Sequence, residues 1–326
     1  MRTARLSFSV VLASGSLLFG CSGKEPAPPQ PPPPPTSSVT PPASSAPASS
    51  SPPAGPEMLE ALPSQAPPSF APGDPAAPPE KAPTVAIKAP VKDQVISRDK
   101  AGDFEVRLDV KNWETKHGAH VHLILDGRPY LRVDDPRQPI KLKDIDPTLE
   151  LKDGQHLLVA FPSRMTHESV KPIGKSSPAV IVPFWIGKKG EVTWKPGDPT
   201  LVYSRPKGAY DEVPPEGLLV DFYLFHAELG DGKYAVKATL DGPGAAGVST
   251  VIKEWRPFRI LHLAQGTYSL AMTLVDKDGK PVPGPQNDVK REFTVNRAAA
   301  PSAPRAGAGE HAGHAAPPPS ASAPAK

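Results

Sequence analysis

Short runs of alternating hydrophobic and polar residues extend from residue 84 to residue 297 and are separated by Gly, Pro and Asp. Residues 106–110 and 119–125 alternate in this way in the first half, and residues 218–224 and 234–240 do so in the second. A period of two places successive side chains on opposite faces of a β-strand. Short strands separated by turn residues predict an all-β fold built from sandwiches. Further strands are predicted at 140–142, 155–161, 179–186, 258–261, 267–275 and 289–295.

The second half of this region repeats the first. Three matched pairs of segments occur in the same order: Leu125-Asp126-Gly127 with Leu240-Asp241-Gly242, Pro139-Ile140 with Pro257-Phe258, and residues 153–158 with residues 265–270. Such a repeat indicates tandem units of one architecture. Each unit has the length of an immunoglobulin-like domain, about 100 residues. The sequence therefore predicts two tandem immunoglobulin-like β-sandwiches, at 84–190 and 191–297.

The segment Gly266-x-Tyr268-x-Leu270 resembles the tyrosine corner of immunoglobulin-like sandwiches. In that motif the tyrosine at the start of strand F bonds through its hydroxyl to nearby backbone. Tyr268 fits this position in the second unit, and His156 occupies it in the first. We expect His156 to lie at the far end of strand C, beside Asp126.

The two flanking regions have a different composition. Many of the 47 prolines lie in residues 22–83, mixed with Ala and Ser, and residues 298–326 are again rich in Ala, Pro and Gly. Such segments bury too little apolar surface to offset the entropy of ordering, which predicts disorder. Residues 22–83 would form either a stalk, since proline-rich chain is extended, or a filler linker.

The N-terminus has the pattern of a cleaved export signal. Arg2 and Arg5 precede an apolar stretch from Leu6 to Phe19, which is shorter than the roughly 20 residues of a spanning helix. The stretch runs into Leu18-Phe19-Gly20-Cys21, which resembles the lipobox of bacterial lipoproteins. The resemblance implies that residues 1–20 are a signal peptide and that Cys21 is lipidated, diacylated on sulfur and acylated on its amine.

Lipidation of Cys21 would make the membrane a partner of this protein, because two or three acyl chains give stable attachment. Cys21 is the single cysteine, so no disulfide forms within the chain. In enteric bacteria an Asp after the lipidated Cys signals retention in the inner membrane. Ser22 stands at that position here, which resembles sorting to the outer membrane and predicts a place in the cell envelope, on the periplasmic face or the cell surface.

Charge and motifs narrow the function. The net charge is +3, and Lys and Arg are interleaved with Asp and Glu, which argues against nucleic acid as a partner. The chain lacks a G-x-S-x-G elbow, an H-E-x-x-H motif, a C-x-x-C motif and a phosphate-binding glycine loop. The sequence therefore predicts no enzyme and no cofactor, with an envelope protein or a glycan as the partner.

The histidines support an alternative hypothesis, in which the protein binds a metal ion. Five of the nine lie between residues 117 and 167. His120 and His122 are two apart on a predicted strand, so both project from one face, and this face is predicted to be exposed to solvent. Strands C and F are neighbours in such a sandwich, so His167, which follows strand F, should approach His120. His120, His122 and His167 are thus candidate ligands for Cu or Zn.

A second resemblance concerns the first unit. Gly118-x-His120-x-His122, then Leu151-x-x-Gly154-x-His156-x-Leu158, then His167, is similar to a group of uncharacterised bacterial envelope domains that share these short motifs. The resemblance supports fold and location and implies no activity. The leading interpretation is a non-catalytic envelope lipoprotein that acts as a binding or structural module. The alternative is a periplasmic Cu- or Zn-binding protein.

Overall fold

A computed structural model describes residues 66–174 and 176–296 of the chain. The predicted signal peptide, Cys21, residues 22–65 and the C-terminal segment 298–326 lie outside the described residues.

The described part is almost entirely β-structure, which confirms the predicted fold class, and every strand predicted from the alternating pattern overlaps an observed one. The strands are β1 (Ser69–Pro72), β2 (Thr84–Ala89), β3 (Val95–Ile96), β4 (Glu105–Lys111), β5 (His120–Leu125), β6 (Leu131–Val133), β7 (Ile140–Lys141), β8 (Gly154–Ser163), β9 (Val180–Ile186), β10 (Thr200–Arg205), β11 (Gly208–Tyr210), β12 (Leu218–Phe225), β13 (Ala235–Asp241), β14 (Val248–Ile252), β15 (Phe258–Leu261), β16 (Gly266–Val275) and β17 (Asp288–Val295). Two helical turns, α1 (Arg98–Ala101) and α2 (Leu142–Ile145), lie in the first half, and no helix of the described residues is long and apolar enough to cross a bilayer.

The strands form four sheets, which pair into two sandwiches. Sandwich 1 packs the sheet β2-β4-β7 against the sheet β3-β9-β8-β5-β6. Sandwich 2 packs the sheet β1-β15-β12-β10 against the sheet β11-β17-β16-β13-β14. The short strands β3 and β11 each run parallel to the last strand of their sandwich, and the other pairs are antiparallel. Leaving β1 aside, the two sandwiches correspond strand for strand, so the tandem immunoglobulin-like repeat predicted from the sequence is confirmed.

The matched corner residues also lie at equivalent positions. Tyr268 donates its hydroxyl to backbone carbonyls, at 3.1 Å from Ala264 O and 3.3 Å from Pro243 O. In sandwich 1, His156 Nε2 lies 2.8 Å from Lys152 O, also four residues upstream. Its Nδ1 lies 2.6 Å from a carboxylate oxygen of Asp126, where the sequence predicted it. The two predictions for the corner are therefore confirmed: the Tyr268 hydroxyl bonds to nearby backbone, and His156 lies beside Asp126.

The predicted disorder of residues 22–83 is wrong at its C-terminal end. Residues 69–72 form β1, which pairs with β15 at the edge of sandwich 2 before the chain returns to start sandwich 1 at β2. The register joins Ser69 to Leu261 and Pro72 to Phe258. Proline is tolerated at an edge strand because one side of the strand has no ladder partner. The proline content therefore predicted disorder where an edge strand forms.

Three hydrophobic clusters hold the described residues together. Each sandwich has a core between its two sheets. A third cluster lies between the sandwiches, where the outer face of β5 and β8 meets the outer face of β10 and β12. Its buried members are Ile124, Tyr130, Val159, Phe161, Val202, Tyr223 and Phe225. This third core places the two sandwiches in direct contact and buries the face of β5 that bears the histidines.

Candidate metal centre

Strand β5 is buried on both of its faces. Val121, Leu123 and Leu125 point into the core of sandwich 1. His120 and His122 occupy the opposite face together with Ile124, and both histidines are fully buried. The expectation that this face is exposed to solvent is therefore wrong. The physical reason is that sandwich 2 covers it.

The three candidate ligands come together in this buried junction. His120 Nε2 lies 2.9 Å from His122 Nε2 and 3.1 Å from His167 Nδ1. One ring nitrogen from each of the three lies within 4.8 Å of the other two. His120 and His122 are on β5, and His167 is on the loop that follows β8. Because β5 and β8 are antiparallel neighbours, the loop after β8 returns to the start of β5.

The remaining ring nitrogens of the strand pair are held by neighbouring groups. His120 Nδ1 lies 2.8 Å from Gly118 O, a carbonyl that can only accept, so Nδ1 bears the proton and Nε2 presents its lone pair. His122 Nδ1 lies 3.1 Å from Ser204 Oγ on β10 of sandwich 2. A hydrogen bond at one imidazole nitrogen selects the tautomer and orients the other nitrogen toward a metal, and this is the usual arrangement around histidine ligands.

The junction favours neutral imidazoles. Burial lowers the pKa of all three rings, and it holds the pKa of His122 well below the ordinary range. The pKa of His167 falls to about 3, first because of burial and then because Arg205 and His120 lie nearby. Metal binding requires the neutral form of histidine. The rings are therefore in the protonation state of ligands without any change of pH.

An aromatic and cationic shell surrounds the three rings. Tyr130 stacks on His122 with ring centroids 3.5 Å apart, and its hydroxyl lies 3.1 Å from His167 Nδ1. Arg205 Nε donates to the same hydroxyl at 3.1 Å. Lys207 Nζ lies 4.0 Å from the centroid of the Tyr130 ring and donates to the Tyr130 carbonyl at 2.9 Å. Sandwich 2 thus supplies Ser204, Arg205 and Lys207 to a site whose three candidate ligands belong to sandwich 1.

The loop of residues 164–170, named the His167 loop below, has a defined conformation. His167 adopts φ of +65°, a left-handed conformation that histidine accepts more readily than most residues. His167 N donates to Arg164 O at 2.9 Å, and Arg164 N donates to Glu168 O at 2.9 Å, which closes the loop on itself. Ser169 binds Asp221 of β12 through its backbone N–H and its hydroxyl, at 3.3 and 2.8 Å.

The distances suit a small transition-metal ion. Zn–N bonds of about 2.0–2.1 Å in a tetrahedron place neighbouring nitrogens about 3.3 Å apart. The separations of 2.9 and 3.1 Å between the ring nitrogens are close to that value. The same rings can also be satisfied without metal. Ser204 then donates to His122, His122 donates to His120, and His120 donates to Gly118 O. His167 Nδ1 accepts from the Tyr130 hydroxyl in the same network. The two arrangements differ in the metal ion and in the tautomer of His122, whose Nε2 bears the proton in the metal-free hydrogen-bond chain and presents its lone pair to a metal.

The other histidines of the described residues lie apart from the triad. His117, His226 and His262 are exposed and have positive φ values of 53°, 53° and 58°. His156 belongs to the corner of sandwich 1, as predicted. His311 and His314 lie outside the described residues.

Sequence reasoning missed the contribution of sandwich 2. Tyr130, Ser204 and Arg205 bear no motif, and their role depends on how the sandwiches pack. One sequence signal did exist: residues 120–125 (HVHLIL) and 156–161 (HLLVAF) are nearly continuous in apolar residues once the histidines are counted with them. Such runs indicate strands buried on both faces, whereas a strand with one solvated face alternates cleanly.

Fold and site define a class: a tandem immunoglobulin-like sandwich protein with a histidine triad at the junction of the sandwiches, in which His120 and His122 are fully buried and His167 is partly buried. No protein-family model and no curated protein matches the chain. The chain is similar to the fibronectin(III)-like modules of CbhA from Clostridium thermocellum, with 16% identity, a TM-score of 0.23, and coverage of 66% of this chain and 95% of that chain. It is also similar to SGBP-B of the mixed-linkage glucan utilization locus of Bacteroides ovatus, solved with a mixed-linkage heptasaccharide. The values are 13% identity, a TM-score of 0.19, and coverage of 65% of this chain and 70% of that chain. Similarity at this level carries no inference about ligand or activity.

Proposed function

We propose that this protein is a non-catalytic, lipid-anchored module of the cell envelope that binds one Cu or Zn ion at His120, His122 and His167. The observation that supports the proposal most strongly is the convergence of three neutral ring nitrogens in a buried junction. Two of the rings are oriented by partners at their far nitrogens, Gly118 O and Ser204 Oγ. The site offers imidazole without thiolate, a donor set that suits Cu and Zn.

The non-catalytic part of the proposal follows from the burial of the junction. His120 and His122 have no solvent-accessible surface, and the sandwich-2 strands cover the third core beside them. A catalytic zinc has three protein ligands and a fourth position open to water or substrate, whereas a structural zinc has four protein ligands. The triad supplies three ligands, so the non-catalytic assignment depends on burial of the fourth position. The Tyr130 ring stacked on His122 closes one side of this site. Metal bound here stabilises the junction of the sandwiches.

The test is a metal titration of the full chain, purified in detergent, with Zn²⁺ and Cu²⁺ in competition with a chromophoric chelator. His311→Gln and His314→Gln are included throughout to remove tail histidines. The decisive variant is His167→Asn, because Asn also tolerates the left-handed conformation of this position. The matched control is His117→Asn, which makes the same substitution at φ of +53° in an exposed position three residues before His120.

The expected result is one tight site per chain in the parent protein and in His117→Asn, with affinity at least about tenfold weaker in His167→Asn. Equal affinity of the parent and His167→Asn would contradict the metal site. Absence of any tight site, together with loss of folding stability in His167→Asn, would assign the triad to the metal-free hydrogen-bond chain.

The lipid anchor is a separate part of the proposal and rests on the lipobox resemblance at Leu18–Cys21. Mass spectrometry of the mature protein tests it. The expected N-terminus is Cys21 bearing acyl groups on its sulfur and amine. An unmodified Cys21, or an N-terminus elsewhere, would remove the anchor and leave the metal proposal intact. An envelope protein or a glycan stays the predicted further partner.

A further inference from the structure

Residues 66–83, which we call the strap, precede both sandwiches in the chain and contact both. The strap enters as β1 on the edge of sandwich 2. It then continues this pairing through Gly73, whose N–H donates to Pro257 O at 2.8 Å and whose carbonyl accepts from Arg256 Nε at 3.0 Å. Before β2 begins, Asn112 Nδ2 of sandwich 1 donates to Ala82 O at 3.1 Å. The strap therefore crosses the junction of the sandwiches on its way to sandwich 1.

At the middle of this crossing the strap contacts the His167 loop. The Ala76 N–H lies 3.1 and 3.3 Å from the two carboxylate oxygens of Glu168. Arg164 Nη2 donates to Ala77 O. Glu168 directly follows His167, and Arg164 O accepts the His167 N–H. Two strap residues thus hold both sides of the loop on which the third candidate ligand is placed.

The Glu168 carboxylate is well buried, with 8% of the residue exposed. A buried carboxylate needs hydrogen-bond donors, so the Ala76 N–H fixes where this side chain lies. The backbone at His167 is in the left-handed region, which costs free energy and persists only where the surroundings enforce it. The strap contributes to this enforcement from outside the sandwich that holds the three ligands.

From these contacts we infer that the strap is a positioning element for the metal site: the Ala76–Glu168 hydrogen bond holds His167 at the triad and thereby sets the affinity for metal. This inference rests on the proposed metal site. By linkage, metal binding must in turn hold the strap in place.

The first experiment compares Ala76→Pro, which removes the donor, with Glu168→Ala, which removes the acceptor, and with the double variant, all in the full chain. Proline removes the N–H of residue 76 and leaves the Ala77 carbonyl, which accepts from Arg164, in place. The control is Arg256→Gln, which loses a strap contact to sandwich 2 distant in sequence from the His167 loop. Affinity for Cu²⁺ is measured by chelator competition. The number of coordinated imidazoles comes from nitrogen hyperfine structure in the electron paramagnetic resonance spectrum.

Each single variant is expected to weaken Cu²⁺ binding about tenfold, the lower end of the range for groups that orient metal ligands. The double variant should add little, because both changes break one interaction. The count of imidazoles should fall from three to two, while Arg256→Gln keeps three. If the Ala76–Glu168 contact is only structural, these variants would lower thermal stability and still show three coordinated imidazoles. That result would overturn the inference.

Hydrogen exchange in the unsubstituted protein provides a second test that does not depend on the variants folding. The Ala76 amide should exchange more slowly when Zn²⁺ is bound, because bound metal fixes His167 and with it Glu168. Exchange at Ala76 that is unchanged by bound Zn²⁺ would overturn the strap inference and leave the metal site standing. Failure to bind either metal would remove both proposals.

Discussion

Ser204→Ala separates the contribution of sandwich 2 from that of the three ligands. Ser204 Oγ is the partner of His122 Nδ1 at 3.1 Å, and the substitution leaves that buried nitrogen unpaired. Outer partners of metal-bound histidines are worth about 10–100-fold in affinity, so we take about thirtyfold for this neutral hydrogen bond. At a metal concentration about 100 times the parent Kd, metal stabilises the parent protein by about 2.7 kcal/mol. The same concentration stabilises Ser204→Ala by only about 0.9 kcal/mol.

The assay is urea unfolding of the full chain followed by tryptophan fluorescence, with and without Zn²⁺. Ser163→Ala is the matched control, because Ser163 lies opposite His120 in the register of β5 and β8 and its buried hydroxyl has no hydrogen-bond partner among the described residues. This control should keep the full stabilisation by metal. If Zn²⁺ stabilises Ser204→Ala as much as it stabilises the parent, sandwich 2 does not orient His122 and the reasoning fails.

Three further predictions concern the junction and the corners. Lys171→Met should lower the free energy of unfolding by about 3 kcal/mol, because the fully buried Asp221 carboxylate loses its 2.9 Å ion pair. Urea unfolding measures this loss, and a loss below about 1 kcal/mol would contradict the prediction. Burial alone would lower the pKa of His156, but its bond to Asp126 outweighs burial and the pKa is raised above 6.5. The stability gained from the His156–Asp126 pair is therefore fully present below pH 6.5 and is lost as the pH rises through the folded-state pKa of His156. The difference in free energy of unfolding between the parent and Asp126→Asn should shrink as the pH rises through that pKa. Tyr268→Phe should cost about 1 kcal/mol through the lost hydrogen bonds to backbone carbonyls, and a neutral effect in thermal unfolding would refute the corner assignment.

The fold could be predicted from the sequence because it depends on local patterns of alternation and turn residues. Alternation predicted β4, β5, β12 and β13, and the repeated Asp-Gly turn and Gly-x-Tyr/His corner aligned the two sandwiches correctly. The turn glycines have a physical requirement: Gly242 adopts φ of +148°, and a Cβ there would lie 2.4 Å from the Tyr268 ring. Seven strands were missed, and all of them lie at sheet edges, where only one neighbouring strand shapes their residue pattern: β1, β2, β3, β6, β10, β11 and β14.

Only half of the candidate site could be predicted from the sequence. The spacing of His120 and His122 and the antiparallel pairing of β5 with β8 were sufficient to bring His167 to the same place. Burial of the pair had one local signal, the nearly continuous apolar runs at 120–125 and 156–161. The residues that cover this face, Val202, Tyr223 and Phe225, lie across the junction and have no such signal. The strap contact between Ala76 and Glu168 joins residues 92 positions apart and leaves no local signal.

The central claim is that one metal ion binds between His120, His122 and His167. Anomalous diffraction from crystals of the zinc-loaded protein, recorded on both sides of the zinc absorption edge, tests it most directly. We expect one strong peak about 2.0–2.1 Å from His120 Nε2, His122 Nε2 and His167 Nδ1. A peak at surface histidines alone, or a triad with no peak in zinc-saturated crystals, would contradict it.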